Sequence, residues 1–405
     1  MRAAVPVMGL MAIVLGGARM SCASEGGVRD GDVAAGEARG GCSADTATAG
    51  GWPLWEAYKA RFVEASGRVV DHAAGHSTSE GQAYGLFHAL VARDRVAFEA
   101  ILGWADRELA GGRLGERLPA WRWVMDAQGQ GRIADANAAS DADLIIAYAL
   151  AQGARVFGEA SWSERAKTLL GTVAAREVKA IPGLGKMLLP GPFGFDTTPG
   201  IWRLNPSYQP ITILRWAARF DPKGPWGEVL ASSLRLAEGV APRGLYPDWA
   251  AWSAADKGFV PDPEHGGRGS YDAIRAYLWP ALMSADDPAR RGLLAAGAGL
   301  LRVTRARGFV PERVEAWDAG KDGEATPGPV GFVAVAAAVA RAEGDLVLAE
   351  RLDAEVAAAK RGELYGEPAF YYDQNLLLFA EGHREGRYRF RADGDLELAG
   401  EWRCD

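Results

Sequence analysis

The sequence predicts an all-α protein whose helices pair into a closed ring, and three observations carry that expectation. Apolar residues recur at helical spacing in roughly a dozen segments from residue 53 onward. Strand-like alternation is scarce. Long Gly-, Pro- and Trp-rich connections fall at alternate junctions, as in PGLGKMLLPGPFGFDTTPGIWRLNP at 182–206, and connections of that length are usually functional. No repeat with a period of roughly 20–50 residues is visible, which favours a closed toroid over a regular solenoid.

The periodic segments are 53–66, 80–93, 95–110, 140–157, 163–180, 207–220, 226–240, 271–284, 287–306, 329–343, 345–360 and 373–382. Ser77 and Glu80 read as a capping box S-x-x-E at the start of the second. Ser140 and Asp141 stand at the start of the fourth, where a short polar side chain ties off free backbone N–H groups. Asp272 and Arg275 are one turn apart at the start of the eighth, a spacing that allows an ion pair. The final stretch, GRYRFRADGDLELAGEWRCD, alternates apolar and polar residues and reads as a small hairpin or an irregular tail.

Ahead of the helices, Arg2, the apolar run Val5 to Leu15 and Ser21-Cys22-Ala23 have the form of an export signal over 1–23. That run is too short for a permanent membrane span. Residues 24–50 are rich in Gly, Ala and acids without periodicity, as expected of a tether. The folded unit is therefore expected over 51–385, with a tail at 386–405. Cys22, Cys42 and Cys404 fit no metal site. A bridge between Cys42 and Cys404 and two free thiols are both open.

With 48% apolar and 24% charged residues in 405, the chain has the composition of a globular protein. Its net charge of -7, with no basic stripe, argues against a nucleic-acid partner. Fourteen tryptophans are many for this length, and several fall in connections. Trp121, Trp123, Trp202, Trp249 and Trp252 are candidates for stacking on the apolar C–H faces of sugar rings, or for packing between helix pairs.

Three acidic residues stand in unusually apolar company: Glu80 in STSEGQAYG, Asp141 in AASDADLIIAYAL and Asp272 in GSYDAIRAYLW. Each alone reads as a helix-start residue, because carboxylates are favoured at helix N-termini. Gly81 beside Glu80 is costly in a first turn and reads as a site that needs room. Asp143, two residues after Asp141, points to a different side of the helix. The D-x-D lacks a further acid or histidine at helical spacing to complete a metal site. His72 and His76 precede their helix and so lack the fixed face of an H-x-x-x-H metal motif. Paired carboxylates with loop tryptophans are the equipment of glycoside hydrolysis, which needs an acid on one side of the scissile bond and a carboxylate on the other.

The blocks SEGQAYG at 79–85, ASDADLIIAYAL at 139–150, SYDAIR at 270–275 and YYDQNLLLF at 371–379 resemble glycoside hydrolase family 8 in order and spacing. PDWAAW at 247–252 is similar to its members from bacterial cellulose-synthesis operons. The resemblance implies an (α/α)6 barrel with Glu80 as general acid, Asp272 as general base and Asp141 holding the distorted sugar. Arg275 and Tyr208 or Tyr372 would position Asp272 and the water. Inversion of configuration is implied, with the two carboxyl groups roughly 6.5–9.5 Å apart. Ala151 and Gly153 depart from the family pattern on a packing face.

The expected activity is an exported, periplasmic or secreted endo-β-1,4-glucanase, a monomer without cofactor or metal. Its partners would be a β-glucan and the cellulose-synthesis and export machinery. Chitosanase, xylanase or mixed-linkage glucanase activity differs only in the loops, and a glucan-binding barrel without catalysis is the further alternative.

Overall fold

In the computed structural model six helices with most of their residues buried form the inner ring of an (α/α)6 barrel. The structure describes residues 51–321 and 326–401. The expected export signal and tether, and all three cysteines, lie outside these residues.

The inner helices are α2 (Ser79–Val91), α4 (Ser140–Phe157), α6 (Ile211–Phe220), α8 (Ala273–Leu282), α11 (Val330–Ala342) and α13 (Tyr371–Arg384). Each packs on the next, and α13 closes the ring on α2. Around them lie α1 (Pro53–Phe62), α3 (Arg95–Trp104), α5 (Ala160–Arg176), α7 (Trp226–Gly239), α9 (Arg290–Ala296), α10 (Gly299–Arg307) and α12 (Leu346–Ala358). The outer helices are amphipathic. In α5 the buried residues Trp162, Ala166, Leu169, Leu170 and Val173 make one stripe against α4, the spacing that a 3.6-residue turn requires. Every residue of α8 is buried, and in α2 every residue except Glu80.

The segment expected as one helix over 287–306 is two. The Gly299 N–H donates to the Gly244 carbonyl at 2.8 Å, and a side chain on Gly299 would collide with the Gly244 backbone. The close approach breaks the helix into α9 and α10. The expected helix over 95–110 ends as α3, followed by a π-turn over Ala105–Leu109.

Strands are more numerous than expected, but each is five residues or fewer. His76–Thr78, Arg122–Met125 and Gly131–Asp135 make one antiparallel sheet before α2 and α4. Ile201–Leu204, Ala250–Ser253 and Gly258–Pro261 make another. At the C-terminus the hairpin alternative is the one that forms: Tyr388–Phe390 pairs with Leu396–Leu398. Its side chains Tyr388, Phe390, Leu396 and Leu398 are buried. The Tyr148 hydroxyl donates to the Gly394 carbonyl at 2.8 Å, so the hairpin packs on later turns of the inner helices, away from their N-termini. Among the described residues no helix is long and apolar enough to cross a membrane.

Candidate active site

The inner helices begin at one end of the barrel, and their first turns carry the chemistry. Glu80 is the second residue of α2 and Asp141 the second of α4; Asp272 precedes α8 and Arg275 is its third residue. Pro206–Tyr208 form a 3-10 turn ahead of α6, and Tyr372 is the second residue of α13.

Arg275 is the hub. Its guanidinium, with a side chain 3% exposed, forms an ion pair with Glu80 through Nη1. Through Nη2 it meets Asp272 Oδ1 at 3.0 Å, Ser207 Oγ at 3.0 Å and Asp141 Oδ2 at 3.7 Å. The rings of Tyr208 and Tyr372 lie 5.7 and 6.0 Å from it, within reach of cation–π attraction. The Tyr372 hydroxyl donates to the Tyr271 carbonyl at 2.6 Å.

One cation faces three carboxyl groups, so all three cannot ionise without like-charge repulsion. Burial pushes the Glu80 carboxyl above the ordinary range, Arg275 opposes the rise, and Asp272 adds to it. Asp141 is pushed up to about 7 by burial, against Arg275 and with Glu80 adding to the rise. The proton-holding candidates are thus Glu80 and Asp141, and the most open of the three carboxylates is Asp272, its side chain 33% exposed against 21% for Glu80 and 3% for Asp141.

The start of α2 differs in detail from the expected capping box. Thr78 is the N-cap, its hydroxyl accepting from the Gly81 N–H at 3.0 Å, while Ser77 accepts from Arg68 Nε at 2.8 Å. Glu80 therefore sits one position too early to close a capping box, and its carboxyl is free to reach Arg275. The room at Gly81 is taken by the protein itself, since a side chain there would collide with the Tyr371 hydroxyl.

The tryptophans divide. Trp249 is half-buried and continues outward from Tyr208, with ring centroids 6.4 Å apart. It stacks with Phe195 at 5.8 Å and 7°, and with His265 at 5.8 Å and 23°. Arg203 lies 5.3 Å from its ring. Trp121 is also half-buried; its N–H donates to the Asn137 carbonyl at 2.7 Å and its carbonyl accepts the Ser79 N–H at 3.0 Å, tying together the approaches to α2 and α4.

Trp123 is not on the open surface where sugar stacking was expected. Trp123 is buried against Trp104 and Leu109, under the Arg68 guanidinium at 4.4 Å. Trp202 is half-buried, as Trp249 is, and stands opposite buried Trp252 in its strand pair. Successive side chains alternate across a strand, so Arg203, which reaches Trp249, turns Trp202 to the other side.

Asp248 was not singled out from the sequence. Its Oδ1 accepts the N–H groups of Ser270 at 2.7 Å, Asp272 at 3.1 Å and Ala273 at 2.9 Å, capping α8 from a distant loop. The signal was in view as the acid of PDWAAW, but local sequence does not show which N–H groups it serves. Phe195, Ser207, Arg203 and His265 were likewise unmarked. Asp141 and Asp143 diverge as expected, and His72 Nε2 pairs with the Arg61 carbonyl at 2.9 Å. Among the described residues no group of three or more His, Cys, Asp or Glu side chains could hold a metal.

A family model described as Glycosyl hydrolases family 8 matches residues 38–386. An endoglucanase of Xanthomonas axonopodis pv. citri (strain 306) is 42% identical over 356 residues, covering 87% of this chain and 90% of that protein. The crystal structure of an endo-1,4-D-glucanase from Vibrio fischeri ES114 is 34% identical with a TM-score of 0.76, covering 86% of this chain and 99% of that one. Endo-beta-1,4-glucanase CMCax from Acetobacter xylinum is 28% identical with a TM-score of 0.66, covering 82% and 97%.

Proposed function

The chain belongs to glycosyl hydrolases family 8, and from that premise we propose that this glycoside hydrolase is an inverting endo-β-1,4-glucanase acting on cellulose or a related β-glucan. The observation that carries the residue roles is the meeting of Glu80, Asp141 and Asp272 on the single guanidinium of Arg275. The names of the similar proteins, endoglucanase and endo-1,4-D-glucanase, support the substrate.

Glu80 is the general acid. Burial keeps its proton at pH values where an open carboxylate has lost it, and it is the one residue of α2 that reaches the surface. Asp272 is the general base that activates water on the far side of the sugar. Its openness admits the water, Arg275 Nη2 holds its Oδ1 at 3.0 Å, and Asp248 fixes its backbone. Asp141, deeper beside the same guanidinium, accepts from the sugar at the cleavage point and holds it distorted. Tyr208 and Tyr372 wall this point, and the Phe195–Trp249–His265 row offers an aromatic platform to neighbouring sugar rings. Trp121 flanks the acid.

We infer from the N-terminal stretch, read as an export signal, that the reaction takes place outside the cytoplasm, where the enzyme would trim cellulose as it is made. Reducing-sugar release from carboxymethylcellulose, chitosan and xylan, by the protein and by Glu80→Gln, tests the reading. We expect release from carboxymethylcellulose, reduced about 10²–10⁴-fold in the variant. Unchanged activity in the variant overturns the acid assignment. Preferred release from chitosan or xylan moves the substrate, and no release from any of them turns the barrel into a glucan-binding one.

A further inference from the structure

Behind Asp141 lies a second carboxyl pair that the roles above do not use. Asp143, on the opposite side of α4, and Glu177, the residue that ends α5, are fully buried at 0% exposure. The two side chains face each other at hydrogen-bonding range. None of their four oxygens has another donor among the described residues. Two ionised carboxylates cannot bond to each other, because each offers only acceptors. The contact therefore exists only with a proton between them.

We propose that Asp143 and Glu177 share a proton, and that this bond is a positioning device that holds the first turn of α4 so that Asp141 faces Arg275. The inference rests on the role given to Asp141 above. The fold supports it from both sides. The Glu177 carbonyl accepts the Leu189 N–H at 2.9 Å, and the next residue, Pro190, accepts the Ser140 N–H at 3.0 Å. The end of α5, the strap at 189–190 and the start of α4 thus form one closed loop of contacts, with the carboxyl pair as its side-chain link.

The helix ends place the proton. Asp143 lies in the first turn of α4, where the helix dipole favours a negative charge, and Glu177 at the end of α5, where it disfavours one. Glu177 is thus the donor and Asp143 the acceptor. Among the described residues no cation from the packed elements neutralises the pair. Arg275 of α8 is directed to Glu80 and Asp141. From α6, Arg215 pairs with Asp287 and Arg219 with Asp395. From the hairpin after α5, Lys179 pairs with Asp196 and Lys186 with Glu228. Burial raises both members well above the ordinary carboxyl range and Asp141 adds to each rise, while their contact raises Glu177 further and lowers Asp143.

Two measurements on the purified full chain test this. In the first, stability is followed by denaturant unfolding between about pH 8 and pH 9.5, above the range in which Asp141, pushed up to about 7, mainly titrates. A proton retained by the folded state and released by the unfolded one makes wild-type stability fall as pH rises. The unfolding equilibrium constant then grows by up to about tenfold per pH unit. Glu177→Gln, which keeps a donor facing Asp143 but has no proton to lose, should flatten this dependence. Superimposable profiles for the variant and the wild type overturn the shared proton.

In the second, Glu177→Leu removes the bond, and kcat should fall about tenfold or more with KM within about twofold. Glu177→Gln should restore most of it. Equal activities of the Leu and Gln variants, or a loss confined to KM, overturn the positioning role. If Glu177→Leu does not fold, the kinetic comparison is made between Asp143→Asn and Glu177→Gln. Each of these leaves a single amide-to-carboxylate bond, and both should keep kcat within about threefold of wild type. A tenfold loss in Glu177→Gln overturns the role there too. The stability measurement does not depend on Asp141's role, so failure of that role and failure of the pair are distinguishable.

Discussion

Asp248 Oδ1 accepts the backbone N–H of Asp272 at 3.1 Å, so a carboxylate 24 residues upstream fixes the start of the helix that carries the proposed base. With the Ser270 and Ala273 N–H groups on the same oxygen, one buried atom sets where Asp272 stands. Asp248→Ala leaves three backbone donors, two of them buried, without their acceptor, and a loss of about 1–3 kcal/mol is expected. It should also lower kcat about tenfold or more. Asp248→Asn, which keeps one acceptor oxygen, should recover most of both. Denaturant unfolding and kcat on a soluble β-glucan check the pair of variants; equal behaviour of Ala and Asn would count against the capping role.

Arg275 serves three carboxyl groups from one planar fork, a geometry that a lysine ammonium cannot reproduce. Arg275→Lys should lower kcat/KM by about 10²-fold or more, because Asp272 and Asp141 lose their shared anchor while the positive charge is kept. Steady-state kinetics decide it, and a loss below about threefold would show that charge alone suffices.

A general acid matters less when the leaving group departs without a proton. On an aryl β-cello-oligosaccharide with an acidic phenol as leaving group, Glu80→Gln should regain much of the activity it loses on cellulose. Asp272→Asn should remain reduced about 10²–10⁴-fold on both substrates. If the two variants respond alike to the leaving group, the acid and base assignments fail.

The Asp141 carboxyl, raised from 3.8 to about 7 mainly by burial, binds its proton more tightly in the folded state than in the unfolded one. Its contribution to stability is therefore complete below about pH 4 and is lost as pH rises toward 7. Asp141→Asn should flatten the fall of stability across that window. Denaturant midpoints at intervals from pH 4 to pH 7 measure it, and a variant as pH-sensitive as the wild type would contradict it.

Much of this was legible in the sequence because it is periodic. The stripes of the outer helices and the uninterrupted apolar runs of α2, α8 and α11 each specify a helix and its depth, and six such pairs can only close on themselves. Each of the three carboxylates alone read as an ordinary helix-start residue; they stood out only as a set, which the structure gathers on Arg275. What escaped depends on contacts between distant segments. The break before Gly299 is set by the Gly244 backbone, and the loop ladders are too short to show a two-residue period. Trp123 looked like Trp249 because sequence shows that a tryptophan lies in a connection, not which side of a short strand it occupies. Arg275 was visible only as a partner of Asp272, and the fold makes it the partner of Glu80 and Asp141 as well.

The central claim is that Asp272 activates a water while Glu80 protonates the departing oxygen, with no covalent sugar–enzyme step. The carboxyl separation that leaves room for that water, roughly 6.5–9.5 Å, belongs to inverting enzymes. The most direct test is proton NMR of the first-formed product from a β-1,4-gluco-oligosaccharide, recorded before the anomers equilibrate. The account predicts the α-anomer at the new reducing end. The β-anomer appearing first would show retention and contradict it.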